Sequence, residues 1–316
     1  MDVLSDLLHR ARARNALVRK LVQRPPWSLS FADTPALTVV ATLGGHGSVR
    51  LDEDGASVRL AAGDIALISA TSRYTIADSP STPPQVVIQG RKKYVVGGEE
   101  AATAAAAARR SLAPRTYGDG LPGATVMIRG AYELRGDVGD RLLDMLPPLA
   151  VVPAGPRTRA ALDLLATEVA CDEPGQDAIL DRLLDLVLVL VLRAWCARPD
   201  PALPAWHRAL ADPAIGEVLR LLHEDPAHRW TVAELAAEVG MSRAAFAARF
   251  TGLVGEPPLT YLTGWRMALA ADLLRDTEAT VAAVARQVGY EDAFAFSVAF
   301  KRARALSPSA WRRQAR

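Results

Sequence analysis

The sequence predicts an α+β protein: an N-terminal antiparallel β-sandwich or barrel with flanking helices, then an all-α domain of two helix-turn-helix units joined by a helix. Three observations predict it. Short β-rich runs separated by turn residues fill the segment from Trp27 to about Tyr132. The stretch Arg198–Pro204, RPDPALP, puts three prolines in seven positions and cannot continue a helix. Beyond it one pattern occurs twice, TVAELAAEVG at Thr231–Gly240 and TVAAVARQVG at Thr280–Gly289. A chain of 316 residues has room for two cores. We place the first domain at 1–199, the linker at 200–204 and the second domain at 205–316.

Taken in order, Asp2 to Val22 is amphipathic, with Val3, Leu4, Leu7 and Leu8 on one side and Arg10, Arg12, Arg14 and Arg19 elsewhere. It reads as one short helix. WSLSF, LTVVATL, GSVRLD, SVRL, IALI, YTI and QVVIQ follow as strands, with Asp54-Gly55 as a hairpin signal between two of them. Ala101–Ala108 is a low-complexity alanine tract, and no chemistry attaches to it. Arg157–Cys171 carries Leu162, Leu165 and Val169 at helical spacing. Gln176–Cys196 is a longer helix with a wide apolar stripe running from Ile179 to Leu192. The stripe exceeds what one neighbouring helix covers, and either burial within the domain or self-association accounts for it.

The repeat has the physical parts of a helix-turn-helix. Thr231 and Thr280 can each cap a helix by accepting a backbone N–H bond. Val232, Leu235, Ala236 and Val239, like Val281, Val284, Ala285 and Val288, form one apolar face. Gly240 and Gly289 can take the positive φ that turns the chain. Second helices begin at Ser242 and Asp292, with Phe246 and Phe250, or Phe296 and Phe300, expected inside. Pro257-Pro258 stops the first unit, and Leu259–Arg275 reads as the connecting helix. Such a unit lays its second helix in the DNA major groove.

Composition narrows the alternatives. With 50% hydrophobic and 23% charged residues, the chain has the balance of a soluble folded protein. Its longest apolar run, Leu186–Leu192, is too short to span a bilayer, which takes about 20 residues. The N-terminus has no secretory pattern, so a cytoplasmic location is expected. Cys171 and Cys196 are too few for a disulfide framework and read as packed thiols; as a pair on adjacent helices they could also sense oxidation.

Thr231–Arg316 resembles the DNA-binding domain of the bacterial AraC/XylS family of transcription regulators. WTVAELAAEVGMSRAAFAARF, VGEPPLTYLTGWRMALAADLL and VAAVARQVGYEDAFAFSVAFKRARALSPSAWR carry the likeness, and Asp212–His223 resembles the helix that opens that domain. The first half is similar, more loosely, to the cupin-type sensor domain of one branch, through GHG at 45–47, LAAGDIALI at 60–68, LLDMLPPL at 142–149 and LVLVLVLRAW. The resemblance implies a sequence-specific DNA-binding regulator responsive to an effector, with activation favoured over repression. It implies double-stranded DNA as partner, a small-molecule effector in the N-terminal domain, RNA polymerase where the protein activates, and a homodimer if the apolar stripe is a self-association surface. No cofactor or membrane partner is implied.

By the family's geometry, base edges face Ser242, Ala244, Ala247 and Ala248 in the first unit, and Ala293, Phe294, Ser297 and Val298 in the second. Most are apolar, so specificity leans on Arg243, on thymine-methyl contacts and on DNA shape. Arg249, Lys301 and Arg302 are assigned to phosphates. Residues 208–316 hold 14 Arg/Lys against 12 Asp/Glu, but from Lys301 onward there are six bases and no acid. Arg266, within the connecting helix, reads equally as a phosphate-positioning residue or as a structural ion-pair residue with Asp272 or Glu256. The competing class is a metal-dependent cupin-type enzyme with an accessory helical domain. It needs clustered histidines and a carboxylate, and His46 is the one histidine between residues 10 and 206, with Tyr74 where another is expected. We therefore assign no catalytic or metal residue.

Overall fold

A computed structural model describes residues 3–11, 14–32, 34–52, 55–69, 73–90, 92–96, 110–120, 122–134, 136–153, 155–198 and 205–315. The alanine tract, the 200–204 linker and Asp54 lie outside the described residues. The fold divides into two compact units. One comprises Ala13–Leu134 with Leu146–Pro199, and the other Met1–Arg12 with Arg135–Met145 and Asp200–Arg316.

The first unit is a sandwich of two sheets. Its strands are β1 (Arg14–Gln23), β2 (Ser28–Ala32), β3 (Leu37–Gly44), β4 (Gly47–Leu51), β5 (Ser57–Leu60), β6 (Ile65–Ser69) and β7 (Arg73–Ala77). They continue with β8 (Val86–Gln89), β9 (Lys92–Val95), β10 (Ser111–Ala113), β11 (Thr116–Gly118), β12 (Thr125–Glu133) and β13 (Leu149–Val152). Seven strands run in the order β10-β11-β1-β12-β3-β6-β13 and six in the order β5-β4-β7-β2-β8-β9. Pairing is antiparallel except for β1 with β11 and β2 with β8.

Side-chain alternation explains the interior. Leu29 and Phe31, Val49 and Leu51, Ala66 and Ile68, and Tyr74 and Ile76 are buried two residues apart, so each pair shares the inner face of its strand. The runs LTVVA and IALI are buried at every position, because helices cover the outer face of the seven-stranded sheet. These are α3 (Pro156–Glu168) and α4 (Gln176–Cys196), which pack on each other and on β3, β1 and β13. Gly130 permits the approach: a Cβ there would meet Leu184 Cδ2 at 2.8 Å, and Tyr132 Oη beside it donates to Leu184 O at 2.8 Å. Leu180, Leu183, Leu184, Val187, Leu188, Val191 and Leu192 are thereby buried within the unit, while Ile179 and Leu186 remain 44% exposed.

Two expectations are corrected here. The segment 2–22 is not one helix: α1 (Val3–Ala11) ends and β1 begins at Arg14. Strand β1 lies between β11 and β12, whose ladders outweigh the helical pattern of its arginines. The two cysteines cannot approach each other. Arg115 bonds both Cys171 O and Asp177, which places Cys171 at the N-terminal end of α4, whereas Cys196 closes its C-terminal end. A 21-residue helix separates them by about 30 Å, against the less than about 7 Å between Cα atoms that a disulfide requires. Burial pushes the Cys196 thiol up to about 11, away from thiolate chemistry.

The second unit is helical. It contains α1, α2 (Asp137–Asp144), α5 (Ala205–Ala211), α6 (Pro213–Glu224), α7 (Val232–Glu238) and α8 (Arg243–Val254). After these come α9 (Pro258–Asp276), α10 (Val281–Gln287), α11 (Ala293–Arg304) and α12 (Pro308–Ala315). One core takes Val3, Leu7 and Val138 from the early segments together with Ile215, Leu222, Leu262 and Trp265. Inside it His223, 1% exposed, joins Asp6 at 3.0 Å and Tyr261 Oη at 2.7 Å, and stacks on Trp265 at 4.2 Å. Asp272 accepts the N–H groups of Asp137 and Val138, completing the first turn of α2.

Candidate nucleic-acid interface

The two sequence repeats build two matching units. Thr231 Oγ1 accepts Glu234 N–H and Thr280 Oγ1 accepts Ala283 N–H, each at 3.1 Å. Gly240 at φ 65° and Gly289 at φ 83° turn the chain in the left-handed region, which a side chain would strain. Ser242 then caps α8 and Asp292 caps α11. Phe246 meets Phe250 and Phe250 meets Tyr261, with ring centroids 5.8 and 6.0 Å apart. Phe296, Phe300 and Trp311 repeat that chain at 5.6 and 6.0 Å. All four phenylalanines are fully buried. Each second helix is therefore held by its inner face and offers its outer face to a partner.

Those outer faces carry the residues assigned from the sequence. Ser242, Arg243, Ala244, Ala248 and Arg249 are exposed on the first unit, and Ala247 is half-buried. On the second unit Phe294 is 76% and Val298 55% exposed, Lys301 and Arg302 are exposed, and Ala293 and Ser297 are half-buried. An exposed phenylalanine and valine on one helix face gain nothing from water. They suit contact with thymine methyls or a base-step edge.

Several polar groups already have partners. Arg249 donates to Asp212 Oδ2 through Nε at 3.0 Å and Nη2 at 2.5 Å. Asp212 also caps α6. Burial raises its carboxyl, but the bonds from Arg249, Ile215 N–H and Ala214 N–H outweigh that and hold it below the usual range. Ser297 Oγ donates to Ala293 O at 2.7 Å. Arg266 does not pair with Asp272 or Glu256. It donates instead to Pro226 O at 2.6 Å and His228 O at 2.7 Å, clamping the 226–228 turn.

The basic C-terminal stretch is thinned in the same way. Arg304 pairs with Asp137, and Arg312 donates to Leu274 O and Ala279 O. Among the described residues of that stretch Lys301, Arg302 and Arg313 are exposed, and Arg313 was not singled out from the sequence. Its signal was present, two residues past Trp311, but nothing in the sequence separated it from Arg312.

The surroundings of Tyr74 in the sandwich interior do not suit a metal. Arg129 Nε donates to Tyr74 Oη at 2.5 Å, and its guanidinium lies 4.5 Å from the Phe31 ring centroid. Burial raises the Tyr74 hydroxyl above its ordinary value, more than the Arg129 charge lowers it. A protonated phenol beside a guanidinium does not fit a divalent cation. His46 sits in the β3–β4 turn, where its carbonyl accepts from Thr125.

Known proteins match this arrangement along the whole chain. A cupin family model matches residues 2–197 and a helix-turn-helix domain model residues 235–314. A Streptomyces antibioticus protein named as an AraC-like transcription regulator is 33% identical over 317 residues, covering 99% of each chain. The chain belongs to the AraC-like transcription regulators. A second AraC-like relative, from Streptomyces lividans, is 34% identical over 319 residues, covering 99% of this chain and 98% of its own. Among solved structures, the DNA-binding domain of AdpA in complex with a target DNA is 34% identical over 33% of this chain and 92% of its own, with a TM-score of 0.31. No helix among the described residues of this AraC-like chain is long and apolar enough to cross a membrane.

Proposed function

We propose that this AraC-like chain is a cytoplasmic, effector-responsive transcription regulator that reads one face of double-stranded DNA with α8 and α11 in successive major grooves. One observation carries the reading: two register-matched units each bury a phenylalanine pair and leave a face of the second helix uncovered. In the first unit Ser242, Arg243, Ala244, Ala247 and Ala248 face bases, and Arg249 faces phosphate. In the second, Ala293, Phe294, Ser297 and Val298 face bases, and Lys301 and Arg302 face phosphate. The sandwich unit, Ala13–Leu134 with Leu146–Pro199, forms the sensor, and residues 205–316, with α1 and α2 packed into their core, form the DNA-binding domain, with an activating role toward RNA polymerase. The family relatives and the metal-averse surroundings of Tyr74 favour this over an enzyme.

Genome-wide recovery of bound DNA followed by footprinting tests it. Two protected elements about 10 base pairs apart on one face of the duplex are expected. Protection of a single element, or none above non-specific background, overturns it. Homodimer formation is supported by the exposed Ile179 and Leu186 on α4. Sedimentation of the full chain should give a dimer that Ile179→Glu with Leu186→Glu converts to a monomer, and an unchanged distribution counts against that surface.

A further inference from the structure

The outer face of α11 offers a base pair almost no hydrogen-bonding group. Phe294 and Val298, 76% and 55% exposed, stand one turn apart and form an apolar ridge along it. The polar side chains beside the ridge are engaged elsewhere. Asp292 accepts the N–H groups of Phe294 and Ala295, and Glu291 pairs with Arg229 at 2.7 Å. Ser297 is half-buried and donates its one hydroxyl proton to Ala293 O. Ala293 and Ala295 carry no polar side-chain atom.

Charge says what covers the ridge. Lys301 and Arg302 are exposed one turn beyond Val298 on the same helix, so the apolar surface is bordered by cations that match phosphate. The first unit differs, because α8 opens on the exposed Arg243, whose guanidinium fork suits guanine O6 and N7. Against the ridge of α11, the feature of the major groove that matters is an apolar one, the C5-methyl group of thymine. Cytosine methylated at C5 carries the same group at the same ring position. It differs from thymine in presenting an amino group in place of O4, an edge that Phe294 and Val298 have no polar atom to read.

We infer that α11 reads pyrimidine C5-methyl groups: Phe294 and Val298 pack on them whether thymine or 5-methylcytosine carries them, so that C5 methylation of a cytosine in the second element turns an unread pair into a bound one. Recognition of this kind rests on the regulator reading, since α11 must lie in the major groove. It makes binding responsive to a covalent mark on the DNA. Burying one methyl group against such a ridge is worth about fourfold in affinity.

Selection by the full chain from a pool of randomised duplexes supplies the probe. Each thymine of the selected duplex is then replaced in turn by uracil, cytosine or 5-methylcytosine, each opposite its Watson–Crick partner, and affinity is measured by mobility shift. At the thymines that α11 covers, thymine is expected to bind about fourfold more tightly than uracil, and 5-methylcytosine about fourfold more tightly than cytosine. Within each comparison the hydrogen-bonding edge is the same and only the methyl group differs. Phe294→Ala with Val298→Ala, both at exposed positions, should abolish both differences while the melting temperature stays unchanged. A difference arising from DNA shape persists in that variant. Methyl readout is overturned if uracil equals thymine throughout, if 5-methylcytosine equals cytosine throughout, or if the double variant leaves every difference unaltered. A double variant that binds the selected duplex as tightly as the parent chain also overturns it, and gives the ridge to a partner other than DNA. Each of these results leaves the regulator reading standing. A pool from which no duplex is enriched overturns the regulator reading and methyl readout together.

Discussion

At the scale of single residues, Lys301 and Arg302 are exposed on the last turns of α11 and are assigned to phosphates. Each phosphate contact releases condensed counterions, so Lys301→Ala and Arg302→Ala should each lower the slope of log affinity against log salt by about 1, across all sequences. An unaltered slope in both would make them solvated surface charges. Arg249 differs because Asp212 already holds it. Asp212→Asn keeps a capping oxygen for α6 and releases Arg249, so the salt slope should steepen by up to about 1. The same variant carries a pH signature. A carboxyl held low in the fold stabilises it above the unfolded value of about 3.9 and loses that contribution as pH falls through the folded value. The stability difference between wild type and Asp212→Asn should therefore be flat above about pH 5 and shrink below about pH 4. A difference that persists into acid would assign the effect to packing.

Among the elements, α9 sets the spacing of the two units. Its 19 residues span about 28 Å. With the width of the flanking helices, that brings α8 and α11 near one duplex turn, about 34 Å. Inserting about 5 base pairs between the two recognised elements rotates one of them to the far side of the duplex. Binding should then fall to that of a single element. Ala271 is fully buried within α9, and Ala271→Pro should break the helix, cost about 3 kcal/mol or more, and remove the second footprint from the protein side. If the half-turn insertion changes neither affinity nor footprint, α11 is a structural helix and only α8 reads DNA.

For the whole molecule, α1 and α2 come from the first half of the sequence yet belong to the helical unit. Asp6 on α1 is the partner of the fully buried His223. Removing one member of a buried charged or polar pair leaves the other without compensation and typically costs 3–5 kcal/mol, so Asp6→Ala should destabilise the helical unit by about 3 kcal/mol. Denaturant unfolding of the full chain, followed by tryptophan fluorescence, measures it. A loss below about 0.5 kcal/mol would mean that water or Tyr261 replaces the carboxylate at little cost. A fragment beginning at residue 205 loses Asp6, Val3, Leu7 and Val138 together, and for that reason is a poor stand-in for the DNA-binding domain.

The sequence by itself determined what depends on neighbours along the chain. Short β-rich runs between turn residues gave the strands from β2 to β8, caps and glycines gave the boundaries of α7 to α11, and the repeat in register gave the proposed reading faces at 242–249 and 293–302. Those features are local because helix and strand geometry repeats every few residues, and a capping side chain reaches only two or three residues ahead. Tertiary structure alone decided the rest. It made residues 14–23 a strand, because β11 and β12, about a hundred positions away, supply the hydrogen bonds. It moved α1 and α2 into the helical unit, turned Arg266 and Arg312 toward carbonyls, and gave Arg249 and Arg304 carboxylate partners. It also assembled the core around Trp265 from segments as distant as Leu7 and Phe300. An arginine's partner, or a core's membership, depends on which distant surfaces meet, and no local period carries that information.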